Sequence, residues 1–188
     1  MFRCKKGEYG YISKRKYQQL FLAILMGLIG LLIYGLGYIL NGYKQNNICL
    51  VLGILMVLPG AKFLTTYILL FPYHTPDRVL FDESSMVTQK GGILLSDLVI
   101  TSTERAMNLD FLYVGNECVY GLIGKTKMKT KDIQDYIAKG VRNWGTGYTV
   151  KIVDSKENFQ KTILAVKEKE INSDEEERVL AYLYSLIV

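Results

Sequence analysis

The sequence predicts an integral membrane hairpin of two α-helices carrying a small cytoplasmic α/β domain with a mixed sheet of about four strands flanked by helices. Three observations predict it. Two long apolar stretches lie close together, a basic cluster precedes the first, and ordinary globular patterning follows the second. The boundaries read as a basic cytoplasmic N-terminus over 1–17, a transmembrane hairpin over 18–73 and the α/β domain over 74–188.

From Leu20 to Leu40 there are 21 residues without a charge, and from Ile48 to Phe71 there are 24 with Lys62 as the one charge. A bilayer core of about 30 Å needs about 20 helical residues, so each stretch is long enough to cross. A signal peptide would have an apolar region of about 7 to 15 residues and a small-residue cleavage site, and the first stretch has neither. Six basic residues (Arg3, Lys5, Lys6, Lys14, Arg15, Lys16) stand ahead of the first span, and one, Lys44, lies in the loop between spans. The positive-inside rule then places the N-terminus in the cytoplasm. Two crossings return residues 74–188 to the same side, and the expected location is a bacterial inner membrane.

The net charge of +5 is uneven, at +5 over residues 1–19 and −2 over residues 74–188. The basic N-terminus is therefore expected to meet anionic lipid headgroups, each Lys or Arg contributing about 1 kcal/mol there. Nucleic acid is not an expected partner of a domain with net negative charge. Cys4, Cys49 and Cys118 are odd in number and far apart, without metal-binding spacing, which fits a reducing compartment.

Seven residues, 41–47, join the spans, so the helices are expected to pack antiparallel. Gly30 and Gly37 in the first, and Gly53 and Gly60 in the second, repeat at a spacing of seven. Two helical turns put each pair on one face, where small residues let backbones approach in lipid. Pro59 withholds the amide that would bond the Leu55 carbonyl, so a break is expected there. Lys62 has three readings: a site for an anionic headgroup or ion, a boundary marker where the hydrocarbon region ends and residues 63–71 continue along the surface, or a charge paired within an oligomer. Snorkelling favours the boundary.

In the domain, Thr75 as N-cap with Pro76 at the first helical position opens a helix to about Gln89. A strand follows from Asp97 to Ser102. "NLDFLYV" and "ECVYGLIG" flank Gly115-Asn116 as a hairpin of two central strands covered on both faces. Ile133, Tyr136, Ile137, Val141 and Trp144 form one helical stripe between Lys131 and Trp144, with Gly145 as its C-cap. "GYTVKIVD" gives another strand. Asp154 with Glu157, and Ser173 with Glu176, open two closing helices. Phe159, Ile163 and Val166 face the core from the first; Val179, Leu183 and Leu186 do so from the second.

His74 is the one histidine, which excludes a Ser-His-Asp triad or a multi-histidine metal site within one chain. "GTG" at 145–147 follows a helix and precedes a strand, the reverse of a phosphate loop. Lys125, Lys127, Lys129 and Lys131 alternate, so an extended segment shows them on one side, either to a ligand or simply to solvent. No cofactor or metal is expected, and no residue set carries an enzymatic assignment.

Asp110 on one strand, and an x-x-lysine at Ile123-Gly124-Lys125 on the next ahead of a helix, resemble a degenerate core of the PD-(D/E)xK nuclease family and its NERD-type relatives. In that family two carboxylates hold a divalent cation. Here the second acid is replaced by Ile123, which counts against cleavage and leaves Asp110, Lys125 and Lys127 as candidate binding residues. As a whole the chain resembles a group of small bacterial two-helix membrane proteins with a cytoplasmic α/β domain. The basic N-terminus, the "PGAK" element and the "MNLDFL", "GLIGK" and "NWGTGYTVKI" segments carry that resemblance. Some of these proteins are labelled as similar to O-linked GlcNAc transferases; the helical repeats of those enzymes are absent here. The expected function is a membrane-anchored binding or regulatory module for a protein or lipid partner, or for a second copy of the chain. A nuclease-like nucleic-acid-binding domain and a small transporter or complex subunit, which would use Lys62, are the alternatives.

Overall fold

The computed structural model describes residues 5–40, 48–88, 92–102, 106–126, 128–165 and 173–188. The chain forms two units. Residues 13–72 make one, and residues 5–12 join residues 73–188 in the other.

The first unit holds the apolar helices. α1 (Tyr11–Leu40) begins in the other unit and runs for 30 residues. α2 (Ile48–Leu55) and α3 (Val57–Leu70) follow one another across Met56. Both α1 and the stretch Val51–Leu70 are long and apolar enough to cross a membrane, and 11% and 6% of their most apolar windows are buried. The interruption lies at Met56, next to the Leu55 carbonyl that Pro59 leaves without its donor. Proline's missing donor is felt four residues earlier, at the Leu55 carbonyl, where α2 stops. Met56 itself keeps helical angles, its amide bonds Leu52 at 3.2 Å, and the Gly60 amide reaches back to it at 3.4 Å. α3 then continues without a break through Lys62. Thr65 and Thr66 turn their hydroxyls back to the carbonyls of Ala61 and Lys62, so neither polar group is left open on an apolar helix.

The second unit is a four-stranded mixed sheet with helices. In chain order it contains α4 (Arg78–Thr88), β1 (Ile93–Thr101), β2 (Ala106–Gly115), β3 (Cys118–Ile123), α5 (Thr130–Val141), β4 (Thr149–Val153), α6 (Lys156–Leu164) and α7 (Ser173–Leu186). The strands lie in the order β1-β2-β3-β4. The first three run antiparallel, and β4 is parallel to β3 after the α5 crossover. β2 and β3 are thus internal, as their strongly apolar sequences suggest. One face packs Leu98, Met107, Leu109 and Leu112 against Ile133 and Ile137 of α5 and Val179 and Leu183 of α7. The other packs Phe111 and Leu122 against Leu80 of α4 and Phe159 and Ile163 of α6.

Several boundaries differ from those read in the sequence. α4 begins at Arg78, three residues beyond Thr75, whose hydroxyl bonds Asp97. β1 starts four residues earlier than Asp97. The β2–β3 turn is centred on Asn116 and Glu117, with φ of 53° and 57°, one residue beyond the expected Gly115-Asn116. Gly115 pairs with Cys118 as the last residue of β2. A Cβ there would come 2.7 Å from the Gly92 Cα, so glycine is needed for space rather than for a turn. α5 ends at Val141, and Trp144, 48% exposed, stacks on Tyr182 at 6.3 Å instead of extending the buried stripe. The Gly145 amide does bond Val141 at 2.9 Å, while the left-handed glycine of that turn is Gly147, at φ 98°. α6 is entered at Ser155 rather than Asp154, with no side-chain cap bond. Gln89 and Val166 lie outside the described residues.

Candidate functional site

The apolar run "ILLSDLVIT" of β1 carries one acid, Asp97, and this residue organises the sheet-bearing unit around the two segments that lead into and out of the apolar helices. Ser96 pairs with Phe111 and Leu98 with Leu109, leaving Asp97 and Asp110 opposite one another in an interruption of the ladder. Asp97 takes φ 57°, a left-handed angle that aspartate tolerates better than most residues. The β2–β3 register shifts at the same level, between Leu109 and Phe111, so Asp110 is a bulge residue. Paired irregularities on adjacent strands let the β1–β2 register resume unchanged.

The Asp97 side chain is fully buried. Its Oδ2 accepts from the Ile12 amide at 3.4 Å, in the first turn of α1, and from the Thr75 hydroxyl at 3.1 Å, five residues after α3. A carboxylate at a helix N-terminus satisfies open amides and meets the positive end of the helix dipole. Burial nevertheless pushes the Asp97 carboxyl up to about 6, against the lowering pull of Thr75 and of the Ile12, Gly10 and Tyr11 amides. The same two segments also meet directly, since the Tyr9 hydroxyl donates to the Pro76 carbonyl at 3.0 Å. Tyr9 packs on Phe81 with 4.8 Å between ring centres.

Residues 5–12, expected as part of a basic tail, are thus built into this unit. The Gly7 carbonyl accepts from Ser96 at 2.9 Å. The Lys6 ammonium donates to the Ile187 carbonyl, and the Tyr11 hydroxyl to Val188 at 2.9 Å. Lys5 and Lys6 line a cleft of about 540 Å³ along this segment.

Asp110 is half-buried, and desolvation raises its carboxyl above the usual range, with Lys156 pulling the other way. Asn108, two residues before it, is buried. It donates to the Leu98 carbonyl at 3.1 Å and accepts from the Lys125 amide at 3.0 Å, which draws the end of β3 onto β2. A Cβ at Gly124 would collide with the side-chain oxygens of both Asn108 and Asp110. Ile123, standing where the nuclease pattern needs its second acid, packs against the α5/α7-side core. Lys125 is exposed. Lys127 lies outside the described residues. Among the described residues, no group of three His, Cys, Asp or Glu side chains is placed to hold a metal.

In the apolar unit, Gly30, Gly37 and Gly53 are buried and Gly60 is partly so. A Cβ on Gly30 would stand 3.1 Å from the Gly53 carbonyl, and one on Gly53 would stand 3.1 Å from the Gly30 carbonyl. The helices therefore touch backbone to backbone at this pair. Lys62 is exposed on α3, and His74 is exposed beyond it.

Family models, curated proteins and solved structures gave no match to this chain. The role of Asp97 was not read from the sequence. The available signal was an aspartate in the middle of an otherwise apolar strand, where an ionisable group is costly unless it has partners.

Proposed function

We propose that this chain is a membrane-anchored binding or regulatory module of a bacterial inner membrane. The two apolar helices form the anchor, and residues 5–12 and 73–188 lie on the cytoplasmic side. The observation that carries this reading is the exposure of the apolar helices. With 11% and 6% of their most apolar windows buried, Leu28, Leu31, Leu32, Leu52 and Leu58 would all face water in a soluble protein. A soluble core helix hides such residues, and lipid accepts them. A binding role suits a unit whose acids at the sheet interruption, Asp97 and Asp110, are engaged with the chain's own groups. The basic residues ahead of α1 favour anionic headgroups at the cytoplasmic surface.

Alkaline carbonate washing of membranes from expressing cells tests the anchor. The protein is expected to stay in the pellet and to leave it only with detergent. Release by carbonate would sink the reading.

A second reading, a nuclease-like nucleic-acid-binding domain, is favoured by Asp110 on β2 with Lys125 between β3 and α5. It predicts retention of nucleic acid that falls when Lys125 and Lys127 are changed to Glu. Ile123 in the place of the second acid speaks against cleavage.

A further inference from the structure

Asp97 sits where three segments meet: β1 itself, residues 5–12 and residues 73–76. The Ser96 amide beside it holds the Gly7 carbonyl at 2.9 Å, and its own Oδ2 holds Ile12 at 3.4 Å and Thr75 at 3.1 Å. Residues 5–12 lead into α1, and residues 73–76 follow α3. Both chain connections to the apolar unit are therefore held at one carboxyl.

The surroundings suit the acid better than its anion. The side chain is fully buried, and among the described residues Oδ1 has no hydrogen-bond partner, so a carboxylate here lacks donors on one of its two oxygens. The charged and titratable groups nearby are engaged elsewhere. On residues 5–12, the Lys6 ammonium is bonded to the Ile187 carbonyl, the Tyr9 and Tyr11 hydroxyls donate to Pro76 and Val188, and Glu8 accepts from the Lys5 amide. Ahead of α4, the Tyr73 hydroxyl turns to the Ala106 carbonyl, while His74 and Asp77 are exposed. On α4, Arg78 lies exposed beside Asp82, and Glu83 accepts from Gln160. Across the ladder on β2, Asp110 is a second acid rather than a cation. Burial thus outweighs the hydrogen bonds, and the carboxyl is pushed up to about 6.

We propose that Asp97 is a pH-operated catch: protonated, it locks residues 5–12 and Thr75 onto β1, and ionised, it lets residues 5–12 lift from β1 so that the carboxylate reaches water. Such a local opening breaks a few bonds at the sheet edge and leaves the four-stranded ladder closed, so it costs less than unfolding. The sign follows from the raised value. A carboxyl near 6 when covered, and near 3.8 when wet, favours the open form progressively as pH rises, by about tenfold between about pH 5 and about pH 7.5. Acidification tightens both connections, and alkali slackens them. The inference goes beyond the binding-module reading and does not depend on the anchor.

The test follows amide hydrogen exchange by nuclear magnetic resonance in the 15N-labelled full-length protein in detergent micelles. Each rate is divided into that of an unstructured chain at the same pH to give a protection factor. Protection of the Ser96 amide, which bonds Gly7, is expected to fall about tenfold between about pH 5 and about pH 7.5. At every pH it should stay at least about tenfold below that of Leu112, which pairs with Leu95 inside the sheet. In Asp97→Asn the Ser96 protection should change less than about twofold over this range. If that variant does not fold, Thr75→Val decides instead: it removes a donor that favours the carboxylate, so the fall should continue to higher pH than in the wild type. Ser96 protection that does not vary with pH would overturn the proposal. So would a fall of the same size in Asp97→Asn, an unmoved curve in Thr75→Val, or equal protection of Ser96 and Leu112, which would mean that Ser96 is freed only by unfolding. The carbonate wash reads the anchor alone, so failure here with the anchor intact sinks this inference and spares the membrane reading.

Discussion

The Asp97 Oδ2 accepts from the Ile12 amide at 3.4 Å and from the Thr75 hydroxyl at 3.1 Å, so one buried oxygen holds the chain both where it enters the apolar helices and where it has left them. The two partners are 63 positions apart in the sequence, and the intervening chain is the apolar unit. The clasp lies wholly within the sheet-bearing unit, and its stability depends on the protonation of a single group.

Burial raises the Asp97 carboxyl to about 6 from the 3.8 usual for an aspartate. An acid whose folded value is raised binds its proton earlier in the folded chain. Its contribution to stability is therefore fullest below about pH 4 and is lost as pH rises through about 6. Ionisation at neutral pH costs the folded unit about 3 kcal/mol at this site. Asp97→Asn keeps an accepting oxygen, tolerates the left-handed angle and does not titrate. The stability difference between wild type and Asp97→Asn, followed by unfolding at Trp144 fluorescence, is expected to shift by about 2 kcal/mol between about pH 4 and pH 7, wild type being the relatively weaker at pH 7. Asp97→Ala, which leaves the Ile12 amide and the Thr75 hydroxyl without their acceptor, should cost about 1–3 kcal/mol at pH 4. A wild type to Asp97→Asn difference that does not change with pH would contradict the clasp.

In the apolar unit, an ideal Cβ on Gly60 stands 3.6 Å from the Met26 Cβ, inside the range a disulfide requires. With the native cysteines replaced by serine, Met26→Cys combined with Gly60→Cys is expected to crosslink under mild oxidation. Adding Gly53→Leu should abolish the crosslink, because a Cβ there already stands 3.1 Å from the Gly30 carbonyl. Persistence of the crosslink in the triple variant would mean that the glycine contact does not hold the helices together.

Gly124→Ala places a methyl against Asn108 and Asp110 and should destabilise the sheet-bearing unit by about 1–3 kcal/mol. Asp110→Ala is expected to fall within about 1 kcal/mol of wild type, since it removes a carboxylate that burial already disfavours. Urea midpoints of the two variants check this. A large loss in Asp110→Ala would instead mark the acid as a structural partner of Lys156.

Much of this unit was legible in the sequence. Alternation and apolar runs placed β2 and β3 inside the sheet, and Ile133, Ile137, Phe159 and Leu183 on its faces, because periodicity reports burial directly. What escaped depended on long-range partners. Thr75 looked like a helix cap because its neighbour is proline, yet its hydroxyl serves Asp97, 22 residues away. Trp144 continued the helical spacing of α5, but the helix ends at Val141 and its ring lies on Tyr182. Lys5 and Lys6 read as tail charges, since nothing local announces that Gly7 pairs with β1. Among the candidate residues, Gly30 and Gly53 lie against one another's carbonyls, while Asp110 is met by Gly124 rather than by a second acid.

Lys62 is exposed on an unbroken α3, and no described acid lies in either apolar helix. As a boundary marker, its charge is dispensable: Lys62→Leu is expected to leave carbonate resistance and expression unchanged, because replacing a charge with leucine removes a cost of insertion. Loss of assembly in native electrophoresis would assign the lysine to an oligomer contact instead.

Sidedness tests the central claim most directly. Single-cysteine forms carrying either Lys44→Cys or the native Cys118 are treated, in spheroplasts, with a maleimide that does not cross membranes. The account predicts labelling at position 44 in intact spheroplasts and at Cys118 only after lysis. Labelling of both before lysis, or of neither, would contradict a two-span anchor with a cytoplasmic sheet-bearing unit.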